Sequence, residues 1–156
     1  MDNVLLPKTI DNHYRGHKLA FWFFWAVIVI RGFQGAYLIV NGHSIVRSAD
    51  GVPLETFPFA AAESIVAVFV ITGSSRLILS LLSVLIFLRY RSMIPLMLVL
   101  LTVDQMAKEV LLLFYPLYRV GHPVGPTVNL GLLFLTIIGL ILSIIRTKSK
   151  PASLHS

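Results

Sequence analysis

A chain of 156 residues that is 56% hydrophobic and 13% charged, with a mean hydropathy of +0.84, carries more apolar surface than a soluble core of that size can bury, since charged residues ordinarily supply about a quarter of a soluble domain. Its formal charge of +6 would fit nucleic acid, but ten of the thirteen Lys and Arg lie outside the apolar runs, mostly at their ends, where headgroup contacts and topology signals belong. Nucleic acid is therefore excluded as a partner and the lipid bilayer is the solvent. The absence of cysteine also excludes disulfides, thiol catalysis and Cys-ligated metals.

Residues 1–18 read as a cytoplasmic N-terminal segment. The first apolar run, 19–40, opens with the aromatic cluster Phe21, Trp22, Phe23, Phe24 and Trp25, which is expected to form an interfacial belt. It holds Arg31 and lacks a clean small-x-small cleavage site, so it reads as a retained membrane helix rather than a signal peptide. "NGHSIVRSADGVPLETFPF" (41–59) follows as an external loop, with turn formers at Asn41-Gly42, Asp50-Gly51, Pro53 and Pro58. The second run spans about 59–88 and the third about 93–115. "YPLYRVGHPVGP" (115–126) suits an interfacial cap. The fourth run, about 128–145, is almost purely aliphatic and reads as scaffold, and residues 146–156 form a basic cytoplasmic tail.

About 20 helical residues cross the hydrocarbon of a bilayer. Membrane strands would instead alternate in short segments, and lipid-exposed backbone must satisfy itself. The sequence therefore predicts an all-α polytopic protein with one domain, a four-transmembrane-helix bundle over residues 19–145. Lys8, Arg15, Lys18, Arg89, Arg91, Arg146, Lys148 and Lys150 would share one side, against Arg47 and Arg119 on the other. Eight against two places both termini in the cytoplasm of a cell with the protein in its inner membrane.

"LLTVDQMAKEVLLLF" (100–114) puts Asp104, Gln105, Lys108 and Glu109 inside the third run. Arg31 lies thirteen residues beyond Lys18, Arg76 thirteen before Arg89, and Asp104 thirteen beyond Arg91. Each is then about 20 Å from the inner anchors at 1.5 Å per residue. Three helices deliver Arg, Arg and Asp to one level. A rotation of about 100° per residue sets Arg31, Gln34 and Gly35 on one face of the first helix, and Thr72, Gly73, Arg76, Ser80 and Ser83 on one stripe of the second. Small and hydroxylated residues let membrane helices approach closely.

A charge at mid-membrane costs about 2.5–3.5 kcal/mol on insertion scales. Pairing Asp104 with Arg31 or Arg76, and Glu109 with Lys108, would remove much of that. Three cations against two anions leave one positive charge over, which fits a water-filled cavity or an anionic ligand held by an arginine fork. Two readings stand beside each other. The layer either locks the bundle as ion pairs, with Asp104–Lys108 as a local pair, or forms a ligand, ion or proton site.

The histidines at 13, 17, 43, 122 and 155 fall in loops or tails without metal-site spacing, so no metal is expected. No nucleophile elbow, phosphate loop or zinc signature is present, and neither a catalytic residue nor a cofactor is assigned. Glu55 and Glu63 are expected to be solvated near the external surface.

"AAESIVAVFVITGSSRLILSLLSVLIFLRYRSMIPL", with Glu63 opening the helix and Gly73-x-x-Arg76 at its middle, resembles the DoxX-like family of small four-helix bacterial membrane proteins. The preceding helix, with its mid-span Arg31 and glycines and the long external loop after it, is similar too. The resemblance covers about 100 residues. It implies a four-helix bundle, and for some family members a link to quinone-dependent thiosulfate oxidation or redox-stress complexes. Only Gly73 and Arg76 carry over, as a structural signature. The chain departs from the family pattern in lacking cysteine and in the charge of "VDQMAKE".

The leading expectation is a membrane protein that binds or transports a small anionic or amphiphilic molecule. Arg31 and Arg76 would be anion contacts, Asp104 their counter-ion, and Gln34, Gln105, Lys108 and Glu109 an outer polar layer. The alternatives are a non-enzymatic accessory subunit of a larger, quinone-linked membrane complex, paired through its charged third helix with a membrane-protein partner or a second copy of itself, and an intramembrane enzyme using Asp104 or Glu109 for proton transfer.

Overall fold

The structure, a computed structural model, describes residues 11, 12, 14 and 16–145. The expectations for Lys8 and Arg15 and for the basic tail with Arg146, Lys148 and Lys150 lie outside the described residues. Five α-helices form among the described residues: α1 (Lys18–Val40), α2 (Gly42–Ser48), α3 (Phe59–Arg89), α4 (Ile94–Phe114) and α5 (Val124–Ile144). There is no strand among the described residues. Of these helices α1, α3 and α5 are long and apolar enough to cross a bilayer, the signature of a multi-pass membrane protein. With 21 residues α4 matches α5 in length, but Asp104, Lys108 and Glu109 set its composition apart.

Each long run becomes a helix because proline is confined to its start, where the missing N–H would be unpaired in any case. Pro58 precedes α3 and Pro95 sits in the first turn of α4. At the start of α1 the His17 ring nitrogen Nδ1 accepts from the Leu19 N–H at 3.2 Å.

Two elements differ from the sequence expectation. The fourth helix begins at Val124, not at 128. Pro126 is only its third residue, so the proline costs it no intrahelical bond, and the Gly125 N–H donates instead to Ala49 O at 2.8 Å. The loop 41–59 contains α2, where Asn41-Gly42 had read as a turn. Val46 of α2 is fully buried and packs with Leu38 and Val52. Gly42 lets α2 rest on α3, since a Cβ there would fall 2.8 Å from a Val70 methyl.

In the bundle α3 packs along α1, α1 and α4 pack along α5, and α3 and α4 touch little although only a short turn joins them. The order around the bundle is thus α3, α1, α5, α4, with a loose seam between the last and the first. The tightest crossing is α1 on α3. A Cβ on Gly35 would lie 2.8 Å from Gly73 O, and Ser80 Oγ donates to Ile28 O at 2.6 Å. The stripe of small residues on α3 is therefore its contact with α1, as expected of close helix approach.

One end of the bundle holds the charged anchors. The His17 N–H donates to Leu142 O at 3.3 Å, and Ser92 Oγ donates to Asp11 O at 2.9 Å. Phe21 and Trp25 stack on Phe87 with ring centroids 4.4 and 4.8 Å apart, and the Arg91 guanidinium lies 5.3 Å from the Phe21 centroid. The aromatic cluster is therefore only partly a belt. Five consecutive residues sweep the whole helix circumference, so Trp22 points outward while Phe24 is fully buried. At the opposite end the Val120 N–H donates to Gly51 O at 2.8 Å, docking the two long loops on each other. Gly51 has φ +71, and a Cβ there would press on Pro123 and Val120 O at 3.0 Å.

Candidate functional site

Asp104 sits at the centre of the polar layer. Arg31 Nη2 donates to its Oδ2 at 2.9 Å, and Lys108 Nζ lies 2.9 Å from each carboxylate oxygen. Arg31 is 6% exposed, a burial that a guanidinium tolerates only with a charged partner. Beside this triad Gln105 Nε2 donates to Thr136 Oγ1 at 3.1 Å, and that hydroxyl donates to Leu132 O at 2.6 Å. The layer thus ties α1 to α4 and α4 to α5.

Of the expected pairings, Asp104 takes Arg31 and not Arg76, because α3 stands away from α4. Lys108 makes the local pair with Asp104, one helical turn earlier, rather than pairing with Glu109. Residues four apart share a face, whereas neighbours diverge by about 100°. Glu109 has no ion pair among the described residues. Gln34 is half-buried on α1 but lines neither polar cavity and makes no hydrogen bond among the described residues.

Arg76 and Glu109 instead line cavities. A small one of about 60 Å³ touches Arg31, Arg76, Gln105, Lys108 and Glu109. A larger one of about 410 Å³ lies beyond it, toward the docked loops. Arg76, Lys108, Leu112 and Asn129 border both, so the two share a wall. The polar lining of the larger cavity adds Asp50 and Arg119, and its apolar lining includes Leu38, Val68, Phe69 and Leu111. Inside this region Arg31 Nη1, Arg76 Nε and Arg119 Nε are buried without an acceptor. Buried donors are nearly always satisfied, so three arginines that line adjoining cavities and carry such groups mark a region short of acceptors.

Asp50, Arg119 and Asn129 were not among the residues singled out from sequence. Asp50 and Arg119 read as loop residues, and only the docking of one loop on the other brings them over Arg76. Asn129 read as part of a scaffold helix. Burial pushes the Asp50 carboxyl up from its ordinary value, against the pull of Arg76 and Arg119. The two cavities and the Asp104 triad together hold four cations (Arg31, Arg76, Lys108, Arg119) and three anions (Asp50, Asp104, Glu109). The single surplus positive charge inferred from the helices alone persists when the loops are included.

Two further ion pairs lie outside this region. His43 Nε2 is 3.1 Å from Glu63 Oε1, and Arg47 Nε is 3.7 Å from Glu55 Oε2, all four side chains being exposed. Pairs of this kind contribute little to stability.

Comparison of the chain with protein-family models, with curated proteins and with solved structures found no match.

Proposed function

We propose that this is an integral membrane protein whose four long helices α1, α3, α4 and α5 all cross the bilayer, with both ends in the cytoplasm, and whose cavity binds a small anionic or amphiphilic molecule. One observation carries the reading: the arginines that line two adjoining cavities each hold a buried N–H without an acceptor, in a layer with one surplus positive charge. Arginine's planar fork matches carboxylate and phosphate oxygens, and an apolar wall beside it matches a hydrocarbon tail. Crossing by α4 is supported by the triad: Asp104 pairs with both Lys108 and Arg31 beside the buried residues of the bundle, while the residues α4 turns outward, Val103, Met106, Val110 and Leu113, are apolar. That outward face offers a partner subunit no charge to pair with. The likeness to the DoxX-like family stays within this reading, resting on Gly73 at the crossing with α1 and Arg76 at the cavity.

The test is thermal unfolding of the purified protein in detergent with and without a panel of anions and anionic amphiphiles. Wild type is expected to be stabilised by at least one of them. Arg76→Ala should remove that stabilisation while the bundle stays assembled, because Arg76 makes no ion pair among the described residues. A ligand response that survives Arg76→Ala would sink the anion pocket.

A further inference from the structure

We propose that the occupant is a membrane amphiphile bearing a single negative charge, and that it enters from the bilayer through the seam between α3 and α4. Its headgroup lies at Arg76 and Arg119 and its tail lies between the two helices. This rests on the anion-pocket reading above and adds to it a route, a charge and a tail.

The route follows from packing. Among helices that are neighbours around the bundle, α3 and α4 are the pair that fails to close. The larger cavity occupies that gap, between Val68, Phe69 and Thr72 on α3 and Lys108, Leu111 and Leu112 on α4. Its rim residues Val68 and Leu111 are 62% and 55% exposed, so the opening lies on the flank of the bundle, where lipid would stand. Farther along the same seam a second cavity of about 240 Å³ is lined by Leu82, Leu85, Ile86, Leu96, Met97 and Leu100. Tyr90 closes one part of a slot that is otherwise walled by apolar side chains, and such a slot receives hydrocarbon far more readily than water. The aqueous side is more closed: the Val120–Gly51 and Gly125–Ala49 hydrogen bonds draw the loops together there, with Asp50 between them.

The charge follows from the four cations and three anions around the cavities. A monoanion balances them, whereas a dianion such as inorganic phosphate would leave an unpaired negative charge in a low-dielectric site, where lone charges are disfavoured. A fatty-acid carboxylate and a phosphodiester lipid headgroup share the required chemistry: one negative charge, two acceptor oxygens for an arginine fork, and an acyl tail.

The experiment uses the full chain in phosphatidylcholine nanodiscs with a photoactivatable fatty acid whose reactive group sits on the acyl chain. Labelling is expected on α3 and α4. Oleate or phosphatidylglycerol should suppress it at least about tenfold more effectively than acetate or inorganic phosphate, the preference worth about 1.4 kcal/mol that burying a tail readily supplies. Stronger competition by oleate identifies a carboxylate source, and stronger competition by phosphatidylglycerol a lipid headgroup. Val68→Trp and Leu111→Trp add bulk at the exposed rim without touching the core, so they should keep thermal stability and lose labelling. Equal competition by acetate or inorganic phosphate, or undiminished labelling of both tryptophan variants, overturns entry from the bilayer and leaves the anion pocket standing. Undiminished labelling of the Arg76→Gln/Arg119→Gln double variant overturns the headgroup assignment, and the anion pocket with it.

Discussion

At the scale of single residues the layer depends on one carboxylate. Asp104 bridges Arg31 and Lys108 as their shared anion, so Asp104→Asn leaves a buried guanidinium and a half-buried ammonium without an anion. Removing one partner of a buried pair costs about 3 kcal/mol or more. Glu109→Gln removes a charge with no ion pair and should shift stability by less than about 0.5 kcal/mol. Unfolding in mixed micelles measures both, and equal effects of the two substitutions would mean that the triad does not hold the bundle. Asp50 gives a different signal. An aspartate whose pKa is raised by burial contributes most when it is protonated in folded and unfolded chains alike, below the ordinary carboxylate value of about 4. That contribution is lost as pH rises through the folded-state pKa. Wild type should therefore lose stability relative to Asp50→Asn between about pH 4 and pH 7. Melting temperatures of the two proteins at both pH values check it. A relative gain by wild type would show that Arg76 and Arg119 outweigh burial at this carboxyl.

At the scale of elements the decisive contact is the crossing of α1 on α3. A Cβ on Gly35 would come 2.8 Å from Gly73 O and 2.9 Å from the Leu77 nitrogen, both backbone atoms that cannot move aside. Gly35→Val should therefore destabilise by about 1–3 kcal/mol, and because Arg31 lies one turn away it should also weaken any ligand response. Gly131 on α5 has nothing within 4 Å of its virtual Cβ. Gly131→Ala should be neutral or gain up to about 1 kcal/mol from helix propensity. The contrast is read by thermal unfolding, and a neutral Gly35→Val would remove the crossing from the account. This contact was legible in the sequence, because the glycines and serines of α1 and α3 recur at helical spacing and local pattern decides which face approaches. The partners of Asp104 were partly legible: depth counting aligned it with two arginines and helical spacing offered Lys108 as a local pair, but only packing could reveal that α3 stands apart and leaves Arg31 as the arginine it meets. Asp50 and Arg119 were not legible. Their meeting over Arg76 depends on Val120 docking on Gly51, a long-range contact with no local period. The start of α5 was missed because prolines that end a helix elsewhere are harmless in its first turn.

At the scale of the whole molecule the fold gathers the segments around Lys18, around Arg89 and Arg91, and at the end of α5 onto one end of the bundle, and Arg47 and Arg119 onto the other. Basic residues are retained on the cytoplasmic side during insertion, so the first end should be cytoplasmic and the docked loops external. The chain has no cysteine, which allows a direct test with single introduced thiols. Ser48→Cys, at the exposed end of α2, should react in intact cells with a maleimide that does not cross membranes. Tyr90→Cys, in the turn after α3, should react only after permeabilisation. The same pair tests the status of α4. Residue 119 lies beyond α4 and residue 90 before it, so if α4 crosses, Arg119→Cys will be labelled from outside like Ser48→Cys. If α4 instead lies along the cytoplasmic surface, Arg119→Cys will be protected like Tyr90→Cys. That result would separate the polar layer from the membrane interior and turn its surplus charge toward water, where an unpaired arginine needs no ligand.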